Sequence, residues 1–331
     1  MKNRTKRHLK LARNWGIFIG ILLVIWFTVK TVRPNVNYAL REKYFHRHQI
    51  DTLGKMTYTD FVSDICDPDK EMSFYTKEEL MEGKTDGIYY TDGLYILNDR
   101  YYINGEDFPA LLRETELPGY GTVKMVPNAG EALGRLLAAA EAETGKRFLL
   151  GDSYVDGAVP SADHGNDCYM LDYYDTSEHI TGMSVDLLVE GEDFRTYMKS
   201  DLAVWLQNNA WRFGFTIRYP FWEGDWTGVF FQPWHIKYVG RIHAALLYRT
   251  RMPLEEYVEK NYKTDSGTTR FYLIDLPDED GTDRTYVIYK QKADNDGRLF
   301  IPDTLHDVEI SFDNTLQYYI VTGVLDTKPQ T

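Results

Sequence analysis

Ser177-Glu178-His179-Ile180-Thr181-Gly182-Met183-Ser184-Val185-Asp186 is the stretch on which the reading of this chain turns, joined downstream by Gln232-Pro233-Trp234-His235. Two neutral imidazoles and one carboxylate form a ligand set that suits zinc. Three protein ligands leave a fourth tetrahedral position open, as a hydrolytic site requires. The bland alternative is a core histidine with satisfied hydrogen bonds, and it must hold for both histidines at once. Met183, Val185 and Leu187 alternate, which predicts a strand with Asp186 on its other face. The seven-residue step from His179 is odd and would reverse the side chain on a straight strand. His179 is therefore expected in the loop before the strand, or on a bend around Gly182.

Working outward, Ser200 is placed to cap a helix over 201–213, with Leu202, Trp205, Leu206, Ala210 and Phe213 as its buried stripe and Gly214 ending it. Residues 215–219 and 227–231 read as a hairpin around Glu223-Gly224-Asp225, delivering His235 just past the second strand. Upstream, a first strand is expected at 93–98. A helix follows from Asn128, with Glu131 completing a capping box, and then a strand at 148–150. Thr76 is expected to cap a short helix over 75–82. From Arg270 the pattern changes to short alternating strands at 270–275, 285–291, 306–312 and 317–322. Asp294-Asn295-Asp296-Gly297 has the acids of a calcium loop without its later glutamate, and reads as a hairpin turn. The expected class is α+β: an antiparallel sheet carrying a zinc site, backed by helices, with a small C-terminal β appendage and an N-terminal transmembrane helix.

The ordered motifs resemble the VanY-type D-alanyl-D-alanine carboxypeptidases. That family's pattern has S-E-H-x-x-G-x-x-x-D, then W-L, A, G-F and R-Y-P, then E-P-W-H and an aromatic-Val-Gly step. Here the middle run is Trp205-Leu206, Ala210, Gly214-Phe215 and Arg218-Tyr219-Pro220, and the last is Pro233-Trp234-His235 with Tyr238-Val239-Gly240. The resemblance spans 93–262 and implies Zn2+ held by His179, Asp186 and His235. It also implies a peptidoglycan stem peptide ending in D-alanine as substrate, with Ser177, Ser153 and Tyr154 as substrate-binding residues. Two departures stand out. The family's general base, the glutamate of E-P-W-H, is Gln232, an amide that cannot accept a proton. The family's S-G-Y-R-S arginine, which grips the substrate carboxylate, has no counterpart in Gly151-Asp152-Ser153-Tyr154-Val155-Asp156-Gly157. Arg218, although it belongs to the structural Arg-Tyr-Pro run, and Arg241 are the candidate replacements, and Glu178 or Glu223 the nearest alternative bases. Two readings follow: a zinc peptidase with reduced activity, or a catalytically inactive, zinc-bearing module that binds or senses peptidoglycan.

Charge is unevenly spread along the chain. The chain carries −13 overall; residues 1–13 contribute +6, so the rest carries −19. An acidic body argues against nucleic acid as a partner. The charge-free run 15–29 spans about 22 Å as a helix, short of the roughly 30 Å of a bilayer core, and gains length to 33 if Lys30 and Arg33 snorkel. A cleaved signal peptide is the competing reading, but no small-x-small site follows the run. Positive charges before it place the N-terminus in the cytoplasm. The expected organisation is a basic tail (1–14), a membrane anchor (15–33), a stalk (34–92), the zinc peptidase domain (93–262) and a β-rich appendage (263–331). Cys66 and Cys168 are the only cysteines, and their spacing fixes no pairing.

Overall fold

A computed structural model describes residues 14–26, 56–61, 65–66, 72–83, 85–98, 112–155, 178–193, 195–220, 224–229, 231–261, 269–277 and 281–325. The chain divides into two compact units, Met1–Phe45 and His46–Thr331. In the first, residues 14–26 form helix α1, with Trp15, Ile17, Phe18, Ile21, Leu23 and Trp26 all exposed. Among the described residues no helix is long and apolar enough to cross a membrane. Residues 27–33 of the expected span lie outside them.

In the second unit the elements run β1 (Met56–Thr59), β2 (Met72–Thr76), α2 (Lys77–Met81), β3 (Ile88–Tyr90), β4 (Arg113–Leu117), β5 (Gly121–Met125), α3 (Pro127–Thr144), β6 (Leu149–Leu150), β7 (Ser184–Leu188), α4 (Asp201–Asn209), β8 (Phe215–Tyr219), α5 (Gly224–Thr227), β9 (Gln232–Tyr238), α6 (Arg241–Thr250) and α7 (Leu254–Asn261). Then come β10 (Phe271–Pro277), β11 (Asp283–Gln291), β12 (Arg298–Pro302), β13 (Leu305–Asp313) and β14 (Tyr318–Leu325). Single 3₁₀ turns cover Glu178–Thr181, Tyr197–Lys199 and Ala210–Phe213.

One sheet, β6-β7-β9-β8, is antiparallel throughout. Helices α3 and α4 cover it. Leu133, Leu136 and Leu137 of α3 and Leu202 and Leu206 of α4 pack on Val185, Leu187, Phe215 and Ile236. Truncating one such core leucine to alanine typically costs about 2–5 kcal/mol. Ser200 caps α4 as expected, its Oγ accepting the Ala203 N–H at 3.1 Å. Helix α3 begins differently. Pro127 occupies its first turn and no side chain caps it, so the expected Asn128–Glu131 box is not used. Proline in the first turn brings a backbone φ already suited to the helix and leaves one N–H fewer to satisfy.

The second sheet has the order β1-β10-β11-β14-β13-β3. All its pairs are antiparallel except β13 with β3. Its strands alternate between two cores. Ile274, Tyr286, Ile288 and Ile320 pack with α6 and α7, while Phe271, Val287, Tyr289 and Val321 face Leu299, Ile301 and Leu80. The expected C-terminal strands are present, and β12 adds a fifth. The segment read as a stalk supplies β1 and β3 to this sheet and β2 as the partner of β12. Its polar, tyrosine-rich composition hid strands whose partners lie some two hundred residues away.

Two expected strands are not strands. Residues 91–97 run without a strand partner, yet Leu94, Ile96 and Leu97 are buried. The Leu94 N–H donates to Ser311 Oγ at 2.8 Å and the Ile96 N–H to Asn314 Oδ1 at 2.9 Å, so side chains satisfy this backbone. Where the hairpin strand 227–231 was expected, Thr227 ends α5 and Gly228 and Val229 form no strand, and the partner of β8 is Gln232–Tyr238. His235 therefore lies within a strand, not just past one. The turn around Asp294 is a hairpin turn held by its own carboxylate, which accepts the N–H groups of Asp296 and Arg298.

Candidate metal centre

Asp186 on β7 and His235 on β9 are directly paired across the sheet. His179 arrives from the preceding 3₁₀ turn, and the chain enters β7 through Gly182 at φ 66°. That left-handed conformation favours glycine, and a Cβ there would press on the Leu112 side chain. This is the bend that the odd seven-residue offset demanded. The three ligand atoms lie within 4.8 Å of one another. His235 Nδ1 is 2.8 Å from Asp186 Oδ1, and His179 Nε2 is 3.6 Å from the same oxygen. The two imidazoles meet edge to face with centroids 4.7 Å apart.

A tetrahedral ion with bonds of about 2.0–2.1 Å has ligand edges near 3.4 Å, which these atoms reach with small adjustments. Both histidines are buried. His235 Nε2 is a buried nitrogen without a hydrogen-bond partner among the described residues. Burial pushes the Asp186 carboxyl up, but the hydrogen bond and charge of His235, with His179, hold it below its ordinary value. A carboxylate kept ionised between two imidazoles, with borderline nitrogen donors, fits a zinc ion.

Gln232 opens β9, opposite Tyr219 in register, and is buried. The register between β8 and β9 shifts between Ile217 and Tyr219, so β9 does not alternate strictly from Gln232 to His235. Tyr219 packs its ring on His235 at 5.1 Å. Trp234 stands edge-on to Tyr197 at 5.7 Å, and the Tyr197 hydroxyl donates to Leu187 O at 2.6 Å.

The segment containing Ser153 and Tyr154 is tied beside the ligands. The Gly151 N–H donates to Asp186 O and the Asp186 N–H to Asp152 O, both at 2.8 Å. A Cβ at Gly151 would lie 2.9 Å from Asp186 Cβ, so this close approach needs glycine. Lys124 Nζ stands 5.0 Å over the Tyr154 ring, on a strand whose continuation, the Val126 N–H, donates to Gly182 O at 3.0 Å. Lys124 is exposed and was not among the expected site residues. Nothing in a lone lysine at a strand end marks it before the fold brings it beside Tyr154. Ser177 and Glu223 lie outside the described residues.

Three candidates are corrected by the geometry. Arg218 is fully buried, with Nε 2.8 Å from Glu178 Oε1 and Nη2 2.6 Å from Glu255 Oε1, so it cannot grip a substrate. Arg241 donates to Pro277 O in the C-terminal sheet. Glu178 is no base. Burial favours its neutral form, but the Arg218 and Lys237 charges overcome this and hold it at about 2. His243, the histidine nearest in sequence to the site, bonds Tyr257 and Thr322 instead, each at 2.8 Å.

Residues 172–241 match the family described as "VanY: D-alanyl-D-alanine carboxypeptidase". A D-alanyl-D-alanine carboxypeptidase of Enterococcus faecium is 29% identical over 191 residues, covering 54% of this chain and 61% of that protein. One of Enterococcus faecalis is 40% identical over 83 residues, covering 25% of this chain and 30% of that protein. The chain thus spans less than two thirds of either relative's length. Among solved structures, the vancomycin-resistance D,D-dipeptidase VanXYg in complex with a D-Ala-D-Ala phosphinate analogue superposes with a TM-score of 0.57 at 21% identity, covering 77% of this chain and 98% of that one. That likeness is one of fold.

Proposed function

We infer, from the premise that residues 172–241 form a VanY-family domain, that this protein is a membrane-anchored, extracytoplasmic zinc D,D-carboxypeptidase of peptidoglycan stem peptides with weakened catalysis. The observation that carries the reading is the convergence of His179, Asp186 and His235 on one buried point, with Gln232 at the head of the strand bearing His235. A bound zinc ion supplies Lewis-acid polarisation of the scissile carbonyl and a lowered pKa for water.

The chain's own groups do the rest. Asp186 and the two imidazoles hold the ion. Ser153 and Tyr154, in the segment tied beside Asp186, are assigned to hold the peptide, and Ser177 is assigned with them on its place in the family motif alone. Gln232 can hydrogen-bond and orient a water, but its amide takes up no proton at physiological pH. A carboxylate there would accept that proton and pass it to the leaving amine. General acid–base catalysis is worth about 10²–10⁴-fold, and the shortfall should be of that size. Lys124 is the cation placed to meet the substrate's terminal carboxylate, where the family's arginine is missing.

The membrane reading draws on the basic residues 1–13, the charge-free run that follows and the exposed apolar side chains of α1. A second reading, an inactive module that binds stem peptides through an intact metal centre, is favoured by Gln232 and by the exposed Asp152. One substitution separates the two. Gln232→Glu restores a proton acceptor at nearly the same volume. D-alanine release from a stem pentapeptide by zinc-loaded protein should rise about 100-fold or more. Ordinary enzyme rates in the wild type, with no gain in the variant, would refute the weakened-base reading. No release from either protein would favour the binding module.

A further inference from the structure

Next to the metal centre lies a second buried cluster that the chemistry above does not use. Glu178 Oε1 accepts from Arg218 Nε at 2.8 Å and from Lys237 Nζ at 3.1 Å. The two terminal nitrogens of Arg218 reach both oxygens of Glu255, at 3.0 and 2.6 Å. Two carboxylates and two cations balance, and the Glu178, Arg218 and Lys237 side chains are wholly shielded from solvent. Removing one member of such a buried set leaves an uncompensated charge.

Its placement is specific. Across β7 and β9, Asp186 pairs with His235 and Ser184 pairs with Lys237. Residues two apart on a strand share a face, so the sheet presents a metal-binding row and, one step along, an ionic row. The 3₁₀ turn Glu178–Thr181 crosses both rows. His179 enters the first and Glu178 the second, where Ser184 Oγ is also 3.5 Å from Glu178 Oε2. Adjacent residues in so short a turn cannot shift independently, so whatever fixes Glu178 fixes His179.

Lys237 has a second bond, from Nζ to Tyr95 O at 2.5 Å. Three residues on, Asn98 Nδ2 donates to Glu255 Oε1 at 3.2 Å. The same segment is held from its other side by the C-terminal sheet. The Thr91 N–H donates to Ile310 O at 2.8 Å, and Asn314 bonds both the N–H and the carbonyl of Ile96, at 2.9 and 2.8 Å.

We propose that Lys237 is a positioning residue for the metal centre, locking the turn that carries His179 to residues 91–98 and, through them, to the C-terminal sheet. The proposal rests on the metal reading of His179, Asp186 and His235. It makes the C-terminal strands part of the support of the site.

The test measures zinc affinity of the full-length chain by competition with a chromogenic chelator, beside thermal unfolding of the metal-free protein. Wild type, Lys237→Met and Asn314→Ala are compared. Lys237→Met should bind zinc about tenfold or more weakly while its metal-free form still unfolds cooperatively. Asn314→Ala, which touches neither Glu178 nor a ligand, should move affinity in the same direction by a smaller factor. Unchanged affinity in Lys237→Met overturns the proposal, even if its melting temperature falls, because a purely structural lysine would behave that way. Should Lys237→Met fail to fold, Asn314→Ala decides, and wild-type affinity there overturns it. A wild-type chain that takes up no zinc removes the metal reading itself, an outcome distinct from equal affinities.

Discussion

A lysine over a tyrosine ring at the edge of the site is a small feature with a measurable consequence. Lys124 offers the positive charge that Gly151–Gly157 lacks, and Asp152 opposes it. For a stem pentapeptide with a free C-terminus, Lys124→Ala should weaken binding roughly three- to tenfold, as expected for one solvent-exposed charge contact. The C-terminally amidated peptide should bind both proteins alike. Calorimetric titration checks this without any turnover, and equal losses for both peptides would show that Lys124 does not read the carboxylate. The His179, Asp186 and His235 cluster was legible in the sequence because each member sits in a contiguous motif. Lys124, Lys237 and Glu255 were not, since they become neighbours only when separate segments pack together. Arg218 illustrates the limit from the other side. Its Arg-Tyr-Pro motif was visible and read as structural, but nothing in the sequence named Glu178 and Glu255 as the carboxylates that pair with its guanidinium.

Among the elements, alternation and capping predicted well where a segment is satisfied by its neighbours in sequence. The helix capped by Ser200, the strand of Asp186 and four strands after Arg270 stand close to where the pattern puts them. It failed where tertiary partners take over. Residues 91–97 look like a strand but bond to Ser311 and Asn314, and Thr227 ends a short helix where a strand was expected. Helix α6 shows how such partners create a pH response. His243 bridges Tyr257 on α7 and Thr322 on β14 while fully buried, and burial pushes its imidazole down to about 3 from an ordinary 6.5. The unfolded chain then binds one more proton between those values. This contribution to stability is complete above about pH 6.5 and is lost as pH falls toward 3, by up to about 1.4 kcal/mol per pH unit. His243→Phe should be less stable at pH 7 yet show a shallower fall in urea midpoint between pH 6 and 4. An identical slope in both proteins would contradict a neutral His243.

At the scale of the molecule, the C-terminal strands were expected as an appendage and the segment before residue 93 as a stalk. The structure joins them in one six-stranded sheet buried on both faces, and that sheet reaches the metal centre through residues 91–98. Sequence distance concealed the union, because β1 and β3 pair with strands more than two hundred residues later. The N-terminal unit carries its own expectation. Full-length protein expressed in a bacterium should sediment with membranes and resist extraction by high salt, and replacing Ile19, Leu22 and Leu23 with aspartate should release it. A wild-type protein recovered in the soluble fraction would contradict the anchor. The account as a whole stands on the three-ligand centre. Elemental analysis of the full-length chain and of His235→Ala, each purified after zinc loading and dialysis, tests it most directly. One zinc per wild-type chain and essentially none in the variant is the predicted result; stoichiometric zinc retained by His235→Ala would contradict it.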